Sequence, residues 1–265
     1  MPGASTDYDP QGNCIVFEEK NHKYYTRIPS LRDDKAEVEV VYTSVTSLIK
    51  KYCPPFDPDG AIAARVAERD GKTVDEVRAA WKAKADASCE LGTRVHEVCE
   101  DVLRNHAIRN RPRDEFERKH MQHAYEIATS VMEFAKPIGI EKIVFDLDLA
   151  VAGTIDLLVQ MPDGGFKIID WKTNAKIERE NPYNKFMTGP LAHLADNDFN
   201  HYAMQLSVYQ AILTRRGYIP ANALVTRDIF HIKEDGVEHL FMPFLGAEAY
   251  AILLDHVVTN IKAPF

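Results

Sequence analysis

No apolar run in the sequence approaches the roughly eighteen residues that a membrane helix needs. The opening stretch MPGASTDYDPQG has neither the basic start nor the apolar core of a secretory signal. Both lacks predict a soluble, cytoplasmic protein with no membrane partner. Cysteine is scarce: Cys14, Cys53, Cys89 and Cys99 are spread out, with no CxxC pair, which argues against a disulfide framework and predicts reduced thiols. Repeats and low-complexity tracts are missing as well. An excess of positive charge is also lacking, since the net charge is -8. That balance argues against a protein that coats nucleic acid indiscriminately, but it leaves room for a local basic track or for a metal ion bridging to phosphate. What is present is ordinary for a packed globular protein: 265 residues, 45% hydrophobic, enough for one large domain or a core with a smaller appendage.

Periodicity divides the chain. Cys14 to Ile28 and Glu37 to Tyr42 are rich in β-branched and aromatic residues and read as a small sheet, separated by the polar stretch Pro29 to Lys35. Ser44 and Thr46 offer caps for a short helix that Pro54-Pro55 stops. Ala61 to Glu68 and Val74 to Lys84 look helical. Between Ala85 and His106, Leu91, Val95, Val98 and Val102 form one helical stripe, and Gly92, His96 and Glu100 form a second, rotated from it. A further helix covers Glu115 to Phe134. Lys142 to Gln160 and Phe166 to Lys172 are strands about the turn-rich Met161 to Gly165. Ala175 to Asn200 resembles a long loop or lid. Tyr202 to Arg216 is helical, Leu224 to Lys233 and Val237 to Pro243 are strands, and Gly246 to Ile261 is a closing helix. This order predicts an α/β fold, a mixed sheet flanked by helices with the N-terminal third as an accessory layer. The expected division is 1–87 for that layer and 88–265 for the core.

A five-residue loop at Met161 to Gly165 pairs Gln160 with Phe166. Counting back along both strands then puts Asp156 opposite Asp170, about 5 Å apart at the β-carbons. Lys172 shares the face of Asp170 because side chains repeat every second residue. Two facing carboxylates repel unless a cation lies between them or one stays protonated. Hard divalent ions are held by one or two carboxylates with waters and substrate phosphate, and the Trp171 carbonyl is within reach as another oxygen ligand. A metal so placed activates water and offsets charge on a phosphoryl oxygen, and a neighbouring lysine can orient the water. A surface ion-pair ladder is the plainer reading of Asp156, Asp170 and Lys172. Against it, both strands are apolar on their other face too, and charge at the end of a buried strand is expensive unless used.

AGTIDLLV followed by KIIDWKTN resembles the PD-(D/E)XK nuclease superfamily. GTRVHEVCE, Gly92 to Glu100, is similar to the G-x-x-x-H-x-x-x-E helix of its RecB-like branch, and QLSVY, Gln205 to Tyr209, to that branch's Q-x-x-x-Y helix. The three occur in family order across Gly92 to Tyr209, and YTSVTSLIKKY makes the chain resemble compact exonucleases of phages and of the mitochondrial single-strand type. The resemblance implies a restriction-endonuclease-like core with an N-terminal β-hairpin and helical layer. It also implies a Mg²⁺- or Mn²⁺-dependent deoxyribonuclease whose metal is held by His96, Asp156, Asp170 and the Trp171 carbonyl, with Asp156, Asp170 and Lys172 as the catalytic set.

The remaining residues are open between two readings. Glu100 is either a hydrogen-bond partner that fixes the His96 tautomer or an exposed helix carboxylate. Gln205 and Tyr209 share a helix face and are expected beside the active site and the DNA. Ser44 either caps a helix or meets phosphate, and Arg94, Thr173, Lys50, Lys51 and Lys176 either line a phosphate track or are solvated. Glu141 lies near where some relatives carry another carboxylate and is not assigned a role. Asp70 to Thr73 echoes a P-loop, but the first glycine is replaced by Val66 and no strand precedes it, so no nucleotide is expected. His120 and His123 lack a third ligand. No cysteine follows Lys172, so no iron-sulfur cluster is expected.

The expected activity is exonucleolytic hydrolysis of single-stranded DNA or frayed ends in recombination, repair or replication, in a bacterial or phage-infected cell. No helicase motif is present, so a helicase or a single-strand annealing or recombinase partner is the expected companion. The alternatives are a structure-selective or duplex-specific endonuclease on the same site, and a non-cleaving DNA-binding accessory protein.

Overall fold

A computed structural model describes residues 3–29, 37–55 and 61–261. Most of the polar stretch between the first strands, residues 30–35, therefore lies outside the described residues. Nine strands form one mixed sheet: β1 (Ala4–Tyr8), β2 (Cys14–Glu18), β3 (Lys23–Pro29), β4 (Glu37–Ser44), β5 (Lys136–Asp146), β6 (Val151–Gln160), β7 (Phe166–Lys172), β8 (Val225–Lys233) and β9 (Gly236–Phe241). Among the described residues six α-helices accompany it: α1 (Val45–Lys50), α2 (Ala61–Asp70), α3 (Val74–Leu103), α4 (Glu115–Phe134), α5 (Asp198–Arg215) and α6 (Gly246–Ile261). The architecture is the expected one, a mixed sheet between helical layers. Residues of α1, α5 and α6 build the larger core on one face, and residues of α3 and α4 build the other around Leu157, Val159, Ile169 and Trp171.

The sheet is continuous from N-terminus to core. β1 to β4 form an antiparallel meander, and β4 then pairs in parallel with β6 through Thr43–Val151 and Ser44–Ala152. β1 was not anticipated, because ASTDY is polar and exposed and carries no alternation. Its end is tied to the core by ions: Lys142 meets Asp7, and Arg216 reaches Asp9 at 3.0 Å and Asp148 at 3.2 Å.

Two expected helices, 74–84 and 85–106, are one. α3 runs unbroken for 30 residues. Its start is set by Thr73, whose hydroxyl accepts from the Glu76 N–H at 3.2 Å while the Glu76 carboxylate accepts the Thr73 N–H at 2.8 Å. The Asp70-Gly71-Lys72-Thr73 stretch is thus a helix stop followed by a cap. The expected division between 87 and 88 falls inside this helix. α5 begins four residues before the expected Tyr202, because Asn197 caps it by accepting the Asn200 N–H at 2.9 Å. Residues 175–197 form the expected long connection, but Ile177, Met187 and Leu191 are buried in the main core, so the segment is packed down rather than free.

Candidate active site

The site forms where β6 changes neighbours. β5 pairs along one edge of β6 for its whole length, so β4 and β7 must share the other. β4 takes residues 151–152 and β7 takes 157–160, and Gly153 to Asp156 lie at the fork between them. The hairpin register is the expected one, with Gln160 opposite Phe166, and its last rung is Leu157–Ile169. At the next position the backbone ladder gives way, and Asp156 Oδ2 accepts the Trp171 N–H at 2.8 Å in place of a carbonyl.

The side-chain alternation of β6 also slips here. Val151 and Ile155 pack on the α5 side and Gly153 lies against Tyr209 of α5, whereas Leu157 and Val159 pack on the α3 side. Across β5, the residue facing Asp156 between the rungs Ile140–Leu157 and Lys142–Ile155 is Glu141, with a left-handed φ of 49°. Such a conformation in a non-glycine residue costs about 1–3 kcal/mol and persists where its surroundings enforce it. Glu141 was left without a role in the sequence. The signal that finds it is the turn Leu147 to Ala150: counting back from Asp146–Val151 brings Glu141 onto Asp156.

α3 supplies the nitrogen. His96 Nε2 lies 3.0 Å from the Trp171 carbonyl, and Nδ1 lies 3.4 Å from Asp156 Oδ2. A proton on Nε2 donated to that carbonyl leaves the Nδ1 lone pair facing the carboxylates. One donor atom from each of His96, Glu141 and Asp156 falls within 4.8 Å of the others. Glu141 thus stands with His96 and Asp156 as a candidate ligand, and the Trp171 carbonyl faces His96 Nε2. Asp170, 2% exposed, makes its contacts toward α5. Lys172 Nζ is 2.5 Å from its Oδ2, and Gln205 Nε2 donates to its Oδ1 at 3.3 Å and to the Tyr209 hydroxyl at 3.3 Å. Tyr202, unnoticed in the sequence one helical turn before Gln205, places its ring 4.7 Å below the Lys172 ammonium.

The electrostatics describe a site short of positive charge. Burial, followed by the charges of Asp156 and Glu100, pushes the Glu141 carboxyl up to about 9. Burial likewise raises Asp170 to about 6, against the pull of Lys172 and with the help of Asp156. For Lys172, burial favours the neutral amine, but Asp170 and Asp156 outweigh it and the ammonium is held more firmly than usual. Burial also pushes the Tyr209 hydroxyl far up, so it stays a neutral phenol. Carboxyls that hold their protons more tightly than usual for want of counter-charge, beside an imidazole nitrogen, are a donor set that a divalent cation fits.

Other expected residues lie elsewhere. Glu100 borders the same cleft, but its oxygens accept from Arg104 at 2.9 Å and Arg109 at 2.6 Å, so it makes no hydrogen bond to His96. Arg94 turns away, pairing with buried Glu117 at 2.5 Å and donating to the Arg111 carbonyl at 2.5 Å, which removes it from any phosphate track. Ser44 caps α1, accepting the Ser47 N–H at 3.1 Å. Thr173 packs on α3, where a β-carbon on Gly92 would approach its hydroxyl to 3.3 Å. Lys51 contacts His256 at 3.2 Å and Lys176 pairs with Glu178 at 2.8 Å. His120 is buried against the Phe116 carbonyl at 2.8 Å.

A mixed sheet that gathers three acids, an imidazole and a buried ammonium between helical layers is an α/β architecture with a candidate cation-binding centre. The model of the PD-(D/E)XK nuclease superfamily matches residues 67–236, more than half of the chain, and the chain belongs to that superfamily. It is accordingly a metal-dependent nuclease acting on DNA. Among solved structures, the one described as the crystal structure of SSO0001 is similar over 84% of this chain and 77% of that chain, at 12% identity and a TM-score of 0.31. No curated protein matches. No helix among the described residues is long and apolar enough to cross a membrane.

Proposed function

We propose that the protein is an exonuclease of the RecB-like branch that hydrolyses single-stranded DNA or frayed ends during recombination, repair or replication. The observation that carries the hydrolytic reading is the gathering of His96, Glu141 and Asp156 beside the Asp170–Lys172 pair. His96, Glu141, Asp156 and Asp170 hold Mg²⁺ or Mn²⁺, and when bound the ion supplies Lewis-acid activation of water and charge compensation at the phosphate. Lys172, fixed by Asp170 and Tyr202, donates a hydrogen bond that orients the attacking water. Gln205 locks Asp170 and Tyr209 in place. Water adds at phosphorus, the P–O3′ bond breaks, and the products are a 5′-phosphate and a 3′-hydroxyl that takes up a proton.

The cleft of about 650 Å³ whose lining includes His96 and Glu141 supports the choice of a single strand. One wall comes from the N-terminal layer, where the partly exposed Phe17 and exposed His22 rings lie 6.0 Å apart and buried Tyr24 backs Phe17 at 4.5 Å. Unpaired bases stack on such rings, whereas a duplex keeps its bases stacked on each other. In this reading residues 1–87 act as a layer that limits access to a nuclease core in 88–265, duplex opening falls to a helicase or recombination partner, and the setting is the cytoplasm of a bacterium or phage-infected cell. End-labelled linear and closed circular single strands, incubated with Mg²⁺, Mn²⁺ or EDTA, test it. Mononucleotides released from linear strands alone are expected. Cutting of circles would replace the exonuclease reading with the endonuclease, and binding without cleavage would leave the accessory-protein reading.

A further inference from the structure

A second convergence of donor atoms lies outside this site. Cys53, three residues past the end of α1, Asp196, just before the cap of α5, and His201, in the first turn of α5, bring one donor atom each within 4.8 Å of one another. Cys53 Sγ is 3.4 Å from His201 Nε2, and Asp196 Oδ1 is 2.8 Å from the same nitrogen. A nucleophilic triad needs the acid on one ring nitrogen and the thiol on the other. Here both meet a single nitrogen, a geometry that cannot relay a proton but that does surround a point. For tetrahedral zinc, bonds of about 2.3 Å to sulfur and about 2.0 Å to nitrogen put the two ligand atoms about 3.5 Å apart.

The backbones carrying these groups are already held. The Thr188 N–H and hydroxyl both donate to the Tyr52 carbonyl, at 2.7 and 3.2 Å, joining the α1 end to the long connection. The Asp196 N–H donates to the Lys185 carbonyl at 2.9 Å, and Asn181 Nδ2 donates to the Asp196 carbonyl at 2.5 Å.

We propose that Cys53, Asp196 and His201 bind a thiolate-seeking transition ion of the Zn²⁺ class, leaving one position open to water. One thiol, one imidazole and one carboxylate suit Zn²⁺ or Co²⁺, whereas Mg²⁺ selects oxygen donors. Binding releases the thiol proton to solvent. The ion pins the 175–197 connection to the end of α1 and so fixes the wall of the cleft that these three residues share with Thr46, Lys50, Tyr202 and Gln205, whose last two contact Lys172 and Asp170.

The full chain, stripped with chelator and returned to buffer with excess Mg²⁺, is titrated with Co²⁺. One equivalent producing a thiolate-to-cobalt charge-transfer band and visible tetrahedral bands is expected, displaced by one equivalent of Zn²⁺. Cys53→Ser and His201→Ala lose the band, and Asp156→Asn keeps it, which separates this site from the nuclease centre. Circular dichroism and melting in EDTA, unchanged in Cys53→Ser, verify folding; if that variant misfolds, His201→Gln carries the comparison. A missing band in the wild type, or a band that survives Cys53→Ser, overturns the proposal.

Discussion

Lys172 is the residue on which the proposed chemistry turns. Its ammonium is held by Asp170 at 2.5 Å and by the Tyr202 ring, and its raised pKa keeps it a donor rather than a base. Lys172→Ala removes a preorganised charge from a water-poor site, which lowers kcat by roughly 10²–10³-fold. Single-turnover cleavage of an end-labelled strand measures this, and a loss under tenfold refutes the role. Glu141 makes a different prediction. Glu141→Gln removes an acid that is protonated without metal but ionised with it, so divalent affinity falls while apo stability at neutral pH holds or rises. Calorimetric titration with Mn²⁺ and a melting curve in EDTA read the two effects separately. Gly153 bears on packing: a β-carbon there would lie 2.6 Å from Tyr209 Cε1. Gly153→Ala must push the buried ring aside at a cost of about 1–3 kcal/mol, and it slackens the Gln205–Asp170 contact. An unchanged melting temperature would refute this.

At the scale of elements, the fork of β6 between β4 and β7 decides where chemistry can occur. A strand paired on both edges along its length has no backbone donor for a carboxylate to accept, and here the Trp171 N–H is free to bind Asp156. α3 brings His96 to that fork because it runs unbroken from Thr73, and Gly92 lets it close on Thr173. Thr73→Ala removes half of the capping box and costs about 1 kcal/mol, seen as a lower denaturation midpoint with kcat retained, since the cap lies at the far end of the helix from His96. Most elements were legible from their residues. α4, β7 and α6 have the bounds their periodicity predicts, because each has one polar and one apolar face, or a turn at its end. β1 was not, since a polar edge strand is specified by its partner. The fusion of the two helices into α3 is not legible because exposed Ala85 to Glu90 carries no large apolar residue to join the phases of their stripes.

For the whole molecule the buried acids predict a pH signature. Glu141 and Asp170 bind protons more tightly in the folded protein than in the unfolded chain, at about 9 and about 6. Their stabilising contribution is complete below the ordinary carboxylate range and is lost as pH rises, first through about 6 and then toward 9. In EDTA the melting temperature therefore falls as pH rises across this window, and saturating Mg²⁺ flattens the decline by compensating the ionised forms. A pH-independent difference between the two conditions would refute the assignment. The ionic ties of Arg216 to Asp9 and Asp148 make the N-terminal strands part of the same cooperative unit, so one transition is expected.

Local pattern alone fixed the hairpin register, with Gln160 opposite Phe166, and from it came the expectation that Asp156, Asp170 and Lys172 share one spot, because a register follows from its turn and side chains repeat every two residues. The His96 helix and the Gln205–Tyr209 pair were equally readable, since their spacing of four belongs to the helix itself. Only the tertiary structure decided that Glu141 comes within 4.8 Å of the His96 and Asp156 donor atoms, that Glu100 and Arg94 pair with other partners, and that Tyr202 lies under Lys172. Those outcomes depend on which charges lie close in space across elements far apart in sequence, and on a left-handed residue and a slipped alternation that no periodicity records.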